Sequence, residues 1–147
     1  MATSLAETIR ESARWSEVEV SDALARVRQQ ARAGRGTPTW DALLREVVES
    51  YRLGPKQGWA PVLLEALAPA MTCELLRLRP LAAGVSSEDV SQQLVLEVLA
   101  AAALIPLPPG CAYVDRRILM RAHNRVSRWL RREARLEASC VYVNPLP

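Results

Sequence analysis

The chain has 147 residues, half of them apolar and about a quarter charged, which fits a single globular domain and excludes a disordered chain. Its three cysteines form no C-x-x-C pair, and it has one histidine, so we expect no disulfide framework, no metal site and no cofactor. The formal charge is +3, but residues 113–147 hold eight arginines against three acids. The positive surplus therefore lies in the last quarter of the chain.

Neither end of the chain nor its most apolar stretch predicts a membrane segment. The N-terminus, MATSLAETIRESARW, is amphipathic with early acids and differs from a secretory signal. The stretch from Leu94 to Leu107 contains Glu97 and is too short to cross a bilayer. We therefore expect a cytoplasmic protein with no membrane partner.

Residues 1–35 predict an N-terminal helical extension made of two short helices. A capping-box pattern at Ser4 starts the first, which runs to about Trp15. A second helix opens at Ser21 and stops at the sequence AGRGTP, where glycine and proline interrupt the periodic pattern. The helical core is expected to follow, over residues 36–138.

The first two helices of this core are bounded by clear signals. One is capped by Thr39 or Asp41 and ends at Gly54, with apolar residues at helical spacing between them. The next runs from Trp59 to about residue 83, and Pro69 inside it should kink it or split it in two.

The last two helices flank a proline-rich linker. Ser86 or Ser87 starts the helix SEDVSQQLVLEVLAAAAL, and the linker IPLPPGCA that follows cannot be helical. The final helix runs from about Tyr113 to Glu137, and residues 139–147 are expected to be an extended or disordered tail. Together these elements predict an all-α, compact helical bundle of five to seven helices with a long basic C-terminal helix.

The final helix has two distinct faces when its residues are placed about 100° apart. Its apolar face, expected to enter the core, consists of Val114, Ile118, Ala122, Val126, Trp129, Leu130 and Leu136. A neighbouring arc, which we name the arginine stripe, consists of Arg117, Arg121, Arg125, Arg128, Arg132 and Arg135. The acids of this helix lie outside the stripe.

Like charges four residues apart repel each other on a helix, so the arginine stripe needs an explanation. An external polyanion is the favoured one. An acidic surface elsewhere in the fold is an alternative, because residues 36–112 carry a net charge of −3. Plain solvation of the stripe is the third alternative.

From Trp59 to residue 138, the order of features resembles region 2 of bacterial sigma factors. SSEDVSQQLVLEVLAA (86–101) looks like the family's D-[VL]-x-Q-E-x-[FL]-L helix, and LMRAHNRVSRWLRRE (119–133) looks like its I-A-R-N-x-x-x-D-x-L-R-R motif. The first motif matches at Glu88, Asp89, Val90, Gln92, Leu94, Leu96, Val98 and Leu99. The second matches at Ala122, Asn124, Leu130, Arg131 and Arg132. The resemblance is partial, because residues 139–147 are too few for the family's promoter-reading helix-turn-helix.

The resemblance implies that the 86–101 helix contacts RNA polymerase and that the basic helix contacts promoter DNA. The expected polymerase contacts are Glu88, Asp89, Gln92 and Gln93. The expected DNA contacts are Arg117, Arg121, Asn124, Arg125, Arg128, Arg131, Arg132 and Arg135. The chain departs from the family in three places. Gln93 stands where the family usually has glutamate, and Arg128 stands where it often has aspartate. The linker lacks most of the aromatic residues that stack on unpaired bases.

We therefore expect a bacterial, DNA-binding protein of transcription and not an enzyme. His123 is the only histidine and is expected to lie in solvent or beside DNA. Glu88 and Asp89 point about 100° apart on a helix, so they cannot act together as a general acid and a general base. The alternative is an adaptor that grips an acidic protein surface without binding DNA. Residues 1–58 are expected either to cover the core or to provide a homodimer surface.

Overall fold

The computed structural model describes the backbone of residues 5–143 and the side chains of residues 17–139. This part of the chain is all-helical and contains no strand, so the predicted all-α class is confirmed. The five α-helices are α1 (Leu5–Ala33), α2 (Pro38–Leu53), α3 (Lys56–Leu78), α4 (Ser87–Leu104) and α5 (Val114–Val143). A short 3-10 helix, Arg79–Leu81, extends the end of α3.

Helix α1 is continuous, so the prediction of two short helices in residues 1–35 was wrong. The sequence SEVEV at residues 16–20 contains no glycine or proline. Its valines lower helix propensity by only a few tenths of a kcal/mol each, on the order of the differences between ordinary residues. The signal at Ser21 is therefore too weak to start a new helix, and the predicted cap at Ser4 lies outside the described residues.

Helix α2 begins one residue after a threonine that caps it. The Thr37 hydroxyl accepts a hydrogen bond from the Trp40 backbone N–H at 3.2 Å, and Pro38 occupies the first turn, where its missing N–H costs nothing. The predicted caps at Thr39 or Asp41 were therefore placed too late. The end at Gly54 is confirmed, because the Gly54 N–H donates to the last turn of the helix.

Helix α3 continues through Pro69, so the split predicted there as the alternative to a kink does not occur, and the helix starts at Lys56 rather than Trp59. Pro69 is exposed, so water can satisfy the carbonyl that the missing proline N–H leaves without a helical partner. Among the described residues, α3 with its 3-10 extension, Lys56–Leu81, is the one helix long and apolar enough to cross a membrane. That test rests on length and composition alone, which core helices also satisfy.

The chain divides into two compact units. The first comprises the described residues up to Ala68 together with Leu107–Val114, and the second comprises Pro69–Pro106 and the described residues from Asp115 onward. Large apolar side chains from α1, α2 and the start of α3 are buried in the first unit. They include Val27, Trp40, Leu44, Val48, Val62, Leu63 and Leu67.

A single arginine fixes the path of the linker within the first unit. The Arg45 guanidinium donates to the carbonyls of Leu107 at 3.0 Å and Pro108 at 2.8 Å. It also lies 3.4 Å from the Cys111 carbonyl and 2.9 Å from the Cys111 Sγ. The linker turns at Gly110, whose φ of 78° suits a glycine.

Helices α4 and α5 supply most of the buried residues of the second unit. Ser86 caps α4 by accepting from the Asp89 N–H at 3.1 Å, which decides between the two serines predicted to start it. The buried side chains of α4 and the end of α3 are Met71, Glu74, Leu78, Val90, Leu94, Val98, Ala101 and Ala102. They recur every three or four residues, as expected for helices with one face in a core.

Helix α5 buries the face that the sequence predicts, with two exceptions. Val114, Ile118, Ala122, Val126 and Leu130 are all buried. Leu136 is instead 60% exposed, and Trp129 is only half-buried. The helix continues to Val143, so residues 139–143, predicted to be extended or disordered, are helical. The residues after 143 lie outside the described structure.

Candidate nucleic-acid interface

The arginine stripe lies on α5 beside the buried face of the same helix. All six of its members are exposed, as are Arg131 and Asn124, which flank it. From Arg117 to Arg135 the stripe extends roughly 27 Å, given a rise of 1.5 Å per residue. The result is a continuous positive ridge along the second unit.

One member of the stripe has an internal acidic partner that the sequence did not predict. Arg125 donates from Nε to Glu97 Oε2 on α4 at 2.8 Å. The Glu97 side chain is only 16% exposed, and its other oxygen, Oε1, accepts from Gln93 Nε2 at 3.4 Å. The alternative of an internal acidic partner therefore holds for Arg125.

The remaining stripe residues have no carboxylate partner among the described side chains, residues 17–139. This holds for Arg117, Arg121, Arg128, Arg132 and Arg135, and also for Arg131 beside them. Arg135 makes one long contact, from Nε to the Arg131 carbonyl at 3.4 Å. Six guanidinium groups along one ridge are thus available to an anion.

A groove of about 440 Å³ runs along the C-terminal half of this ridge. Its lining consists of Glu97, Arg125, Arg128, Arg131, Arg132 and Arg135. Five arginines and one carboxylate leave it with a net charge of +4. Guanidinium groups donate hydrogen bonds in a planar fork that matches phosphate and carboxylate oxygens, so the groove suits the phosphates of a polyanion.

The four residues expected to contact polymerase lie at or near the start of α4. Glu88, Asp89 and Gln92 are exposed, whereas Gln93 is half-buried. Gln93 uses its amide on Glu97, so it supports the α4–α5 contact within the second unit. The first three are accessible to a partner.

His123 is 31% exposed and contacts a buried carboxylate, so it does not lie freely in solvent, which was one of its two predicted surroundings. Its Nδ1 lies 2.8 Å from Glu74 Oε2, and the other Glu74 oxygen accepts from Arg77 at 3.0 Å. Glu74 is itself buried. This cluster joins the end of α3 to α5 across a separation of 49 residues, and a one-dimensional helical pattern carries no signal for such a pairing.

Aromatic side chains for base stacking are scarce among the described residues of α5 and the linker. Trp129 is half-buried, so only part of its side chain is accessible to a base. Tyr113 is 55% exposed and belongs to the first unit. Its backbone has a left-handed φ of 57°, and its N–H donates to Asp41 Oδ2 at 3.1 Å.

No protein-family model, curated protein or solved structure matches the chain. The resemblance to sigma factor region 2 therefore rests on the two sequence motifs in α4 and α5.

Proposed function

We propose that the protein binds DNA through α5, which acts as a long basic helix whose arginine stripe contacts the phosphate backbone. The observation that carries this proposal is the row of exposed arginines without carboxylate partners in the described structure. Like charges along one ridge repel each other, and a polyanion relieves that repulsion while releasing its own counterions. Phosphate contacts of this kind position a protein on DNA without reading its sequence.

The experiment that tests the proposal is a double charge reversal, Arg121→Glu with Arg128→Glu, on the exposed centre of the stripe. Binding to a duplex oligonucleotide should weaken at least tenfold in low salt, and its dependence on salt should flatten because two or more phosphate contacts are lost. The matched control is Arg32→Glu with Arg79→Glu, two exposed arginines outside α5. Unchanged binding in the stripe variant would remove the DNA proposal, and equal weakening in both variants would reduce it to a net-charge effect.

The resemblance to sigma factor region 2 supports a role for this DNA contact in bacterial transcription. In that role α4 contacts RNA polymerase through three exposed residues, Glu88, Asp89 and Gln92. Arg121 and its neighbours on α5 bind promoter DNA. The protein acts in the cytoplasm and performs no catalysis itself. Duplex binding without strand opening fits the scarcity of exposed aromatic residues in the described part of α5 and the linker.

A second candidate function is an adaptor that binds protein alone. It is favoured by the large apolar side chains that α4 exposes, Leu96 at 61% and Leu104 at 72%, since a bound protein would remove them from water. A pull-down from bacterial extract with and without nuclease separates the two functions. A partner that persists after nuclease supports the adaptor, and the loss of every partner supports binding through DNA.

A further inference from the structure

Glu97 occupies an unusual position in the arginine groove. It is the single acid among the residues that line the groove, and it comes from α4 rather than from α5. Its side chain is largely buried, whereas the Arg125 side chain that it holds is half exposed. The carboxylate therefore approaches the guanidinium from the protein interior and leaves the outer side of Arg125 facing solvent.

Both oxygens of Glu97 are engaged, by Arg125 Nε on one side and Gln93 Nε2 on the other. A carboxylate and a phosphate present the same kind of oxygen acceptor to a guanidinium. Glu97 thus engages Arg125 Nε, a donor that a backbone phosphate could otherwise use. Its negative charge also lies within the groove, where it repels any phosphate bound by the neighbouring arginines.

We propose that Glu97 is an internal competitor for phosphate in this groove and that it sets the affinity of the groove for polyanions. The inference rests on the proposed function, because it assigns regulation to the same arginine surface. Arg128, Arg131 and Arg132 bind phosphate next to the Glu97 carboxylate, which keeps Arg125 engaged in an ion pair. Removing that charge releases Arg125 and raises the net charge of the groove from +4 to +5.

The test compares Glu97→Gln with Glu49→Gln, which removes the same charge from an exposed position on α2, outside the groove. Glutamine at position 97 keeps the shape of the side chain but removes the charge that holds Arg125. Duplex affinity at low salt should rise about threefold to tenfold for Glu97→Gln, and the slope of log affinity against log salt should steepen by about 0.9, the value for one further phosphate contact. Glu49→Gln should change both quantities much less.

Glu97→Asp, which retains the charge, should bind DNA like the unmodified protein, and this separates the effect of charge from that of packing. Equal affinity and equal slope for Glu97→Gln and Glu49→Gln would overturn the inference. Titration with inorganic polyphosphate distinguishes the two proposals. If no variant binds duplex DNA but Glu97→Gln binds polyphosphate more tightly than Glu49→Gln, the DNA proposal fails and the inference stands. If Glu97→Gln gains affinity for neither probe, the inference fails.

Discussion

Glu74 shows how one buried carboxylate can connect two helices of the second unit. It is 8% exposed, and glutamate is almost never buried without partners. Here His123 and Arg77 each occupy one of its oxygens, at 2.8 and 3.0 Å. Because the cost of burying a charge is recovered only through such hydrogen bonds, the three side chains act as one structural cluster.

Replacing this carboxylate should destabilise the protein. In Glu74→Ala, His123 and Arg77 lose their acceptor and a small cavity forms, so the free energy of unfolding should fall by about 1–3 kcal/mol. Urea denaturation followed by circular dichroism measures the change. Glu88→Ala, at an exposed position, serves as the control and should stay within about 0.5 kcal/mol of the original protein. Similar values for the two variants would show that the cluster adds no stability.

At the scale of single helices, the start of α2 depends on which threonine caps it. The hydroxyl of Thr37 accepts from Trp40 N–H, whereas Thr39 is exposed inside the first turn. Pro38 favours the earlier start, because a proline fits the first helical position and its fixed φ already suits the helix.

Alanine substitution distinguishes the two threonines. Thr37→Ala removes the cap and should lower the free energy of unfolding by about 1 kcal/mol. Thr39→Ala should leave it unchanged or raise it slightly, since alanine has the higher helix propensity. Thermal or urea unfolding of both variants measures the difference. A larger loss for Thr39→Ala would contradict the assignment of Thr37 as the cap.

The helical elements were largely predictable from the sequence, but their contacts were not. Helical periodicity correctly predicts that Ile118, Ala122 and Val126 are buried, because each helix repeats its own pattern along the chain. It fails for Leu136, which lies on the same arc but is exposed, since the pattern does not show where the core ends.

The same limit applies to the candidate site. The exposed arginines of α5 follow from the spacing within one helix, and the sequence predicts them. The contact between Arg125 and Glu97 joins two helices across 28 residues, and it depends on how each helix is rotated about its axis. Periodicity gives no information about that rotation, so the acid within the groove could be found only from the structure.

For the whole molecule, the uneven distribution of charge matters more than the net value of +3. The segment 113–147 carries +5, and the rest of the chain is therefore negative overall. A ligand that recognised only net charge would bind weakly, whereas a polyanion lying along α5 meets a local excess of arginine. Electrostatic steering of this kind acts over about 10 Å at 0.1 M salt.

The salt dependence of DNA binding should report the number of available arginines. Among the described side chains, six arginines of α5 have no carboxylate partner: Arg117, Arg121, Arg128, Arg131, Arg132 and Arg135. If four to six of them contact phosphates, the slope of log affinity against log salt should lie between about −3.5 and −5.5 for duplex DNA. Fluorescence anisotropy at several salt concentrations measures it. A slope near zero would contradict a phosphate-based contact.

The hydrogen bonds from Arg45 to the linker limit which changes in linker sequence and length the fold can accept. Three of the four acceptors that Arg45 contacts are backbone carbonyls, which every residue type possesses. Arg45 therefore recognises the path of the linker rather than its side chains. Substitutions at Leu107 or Pro108 should preserve these contacts, whereas one inserted residue between Pro108 and Cys111 would move the thiol and its carbonyl out of reach. The linker can change its composition far more easily than its length.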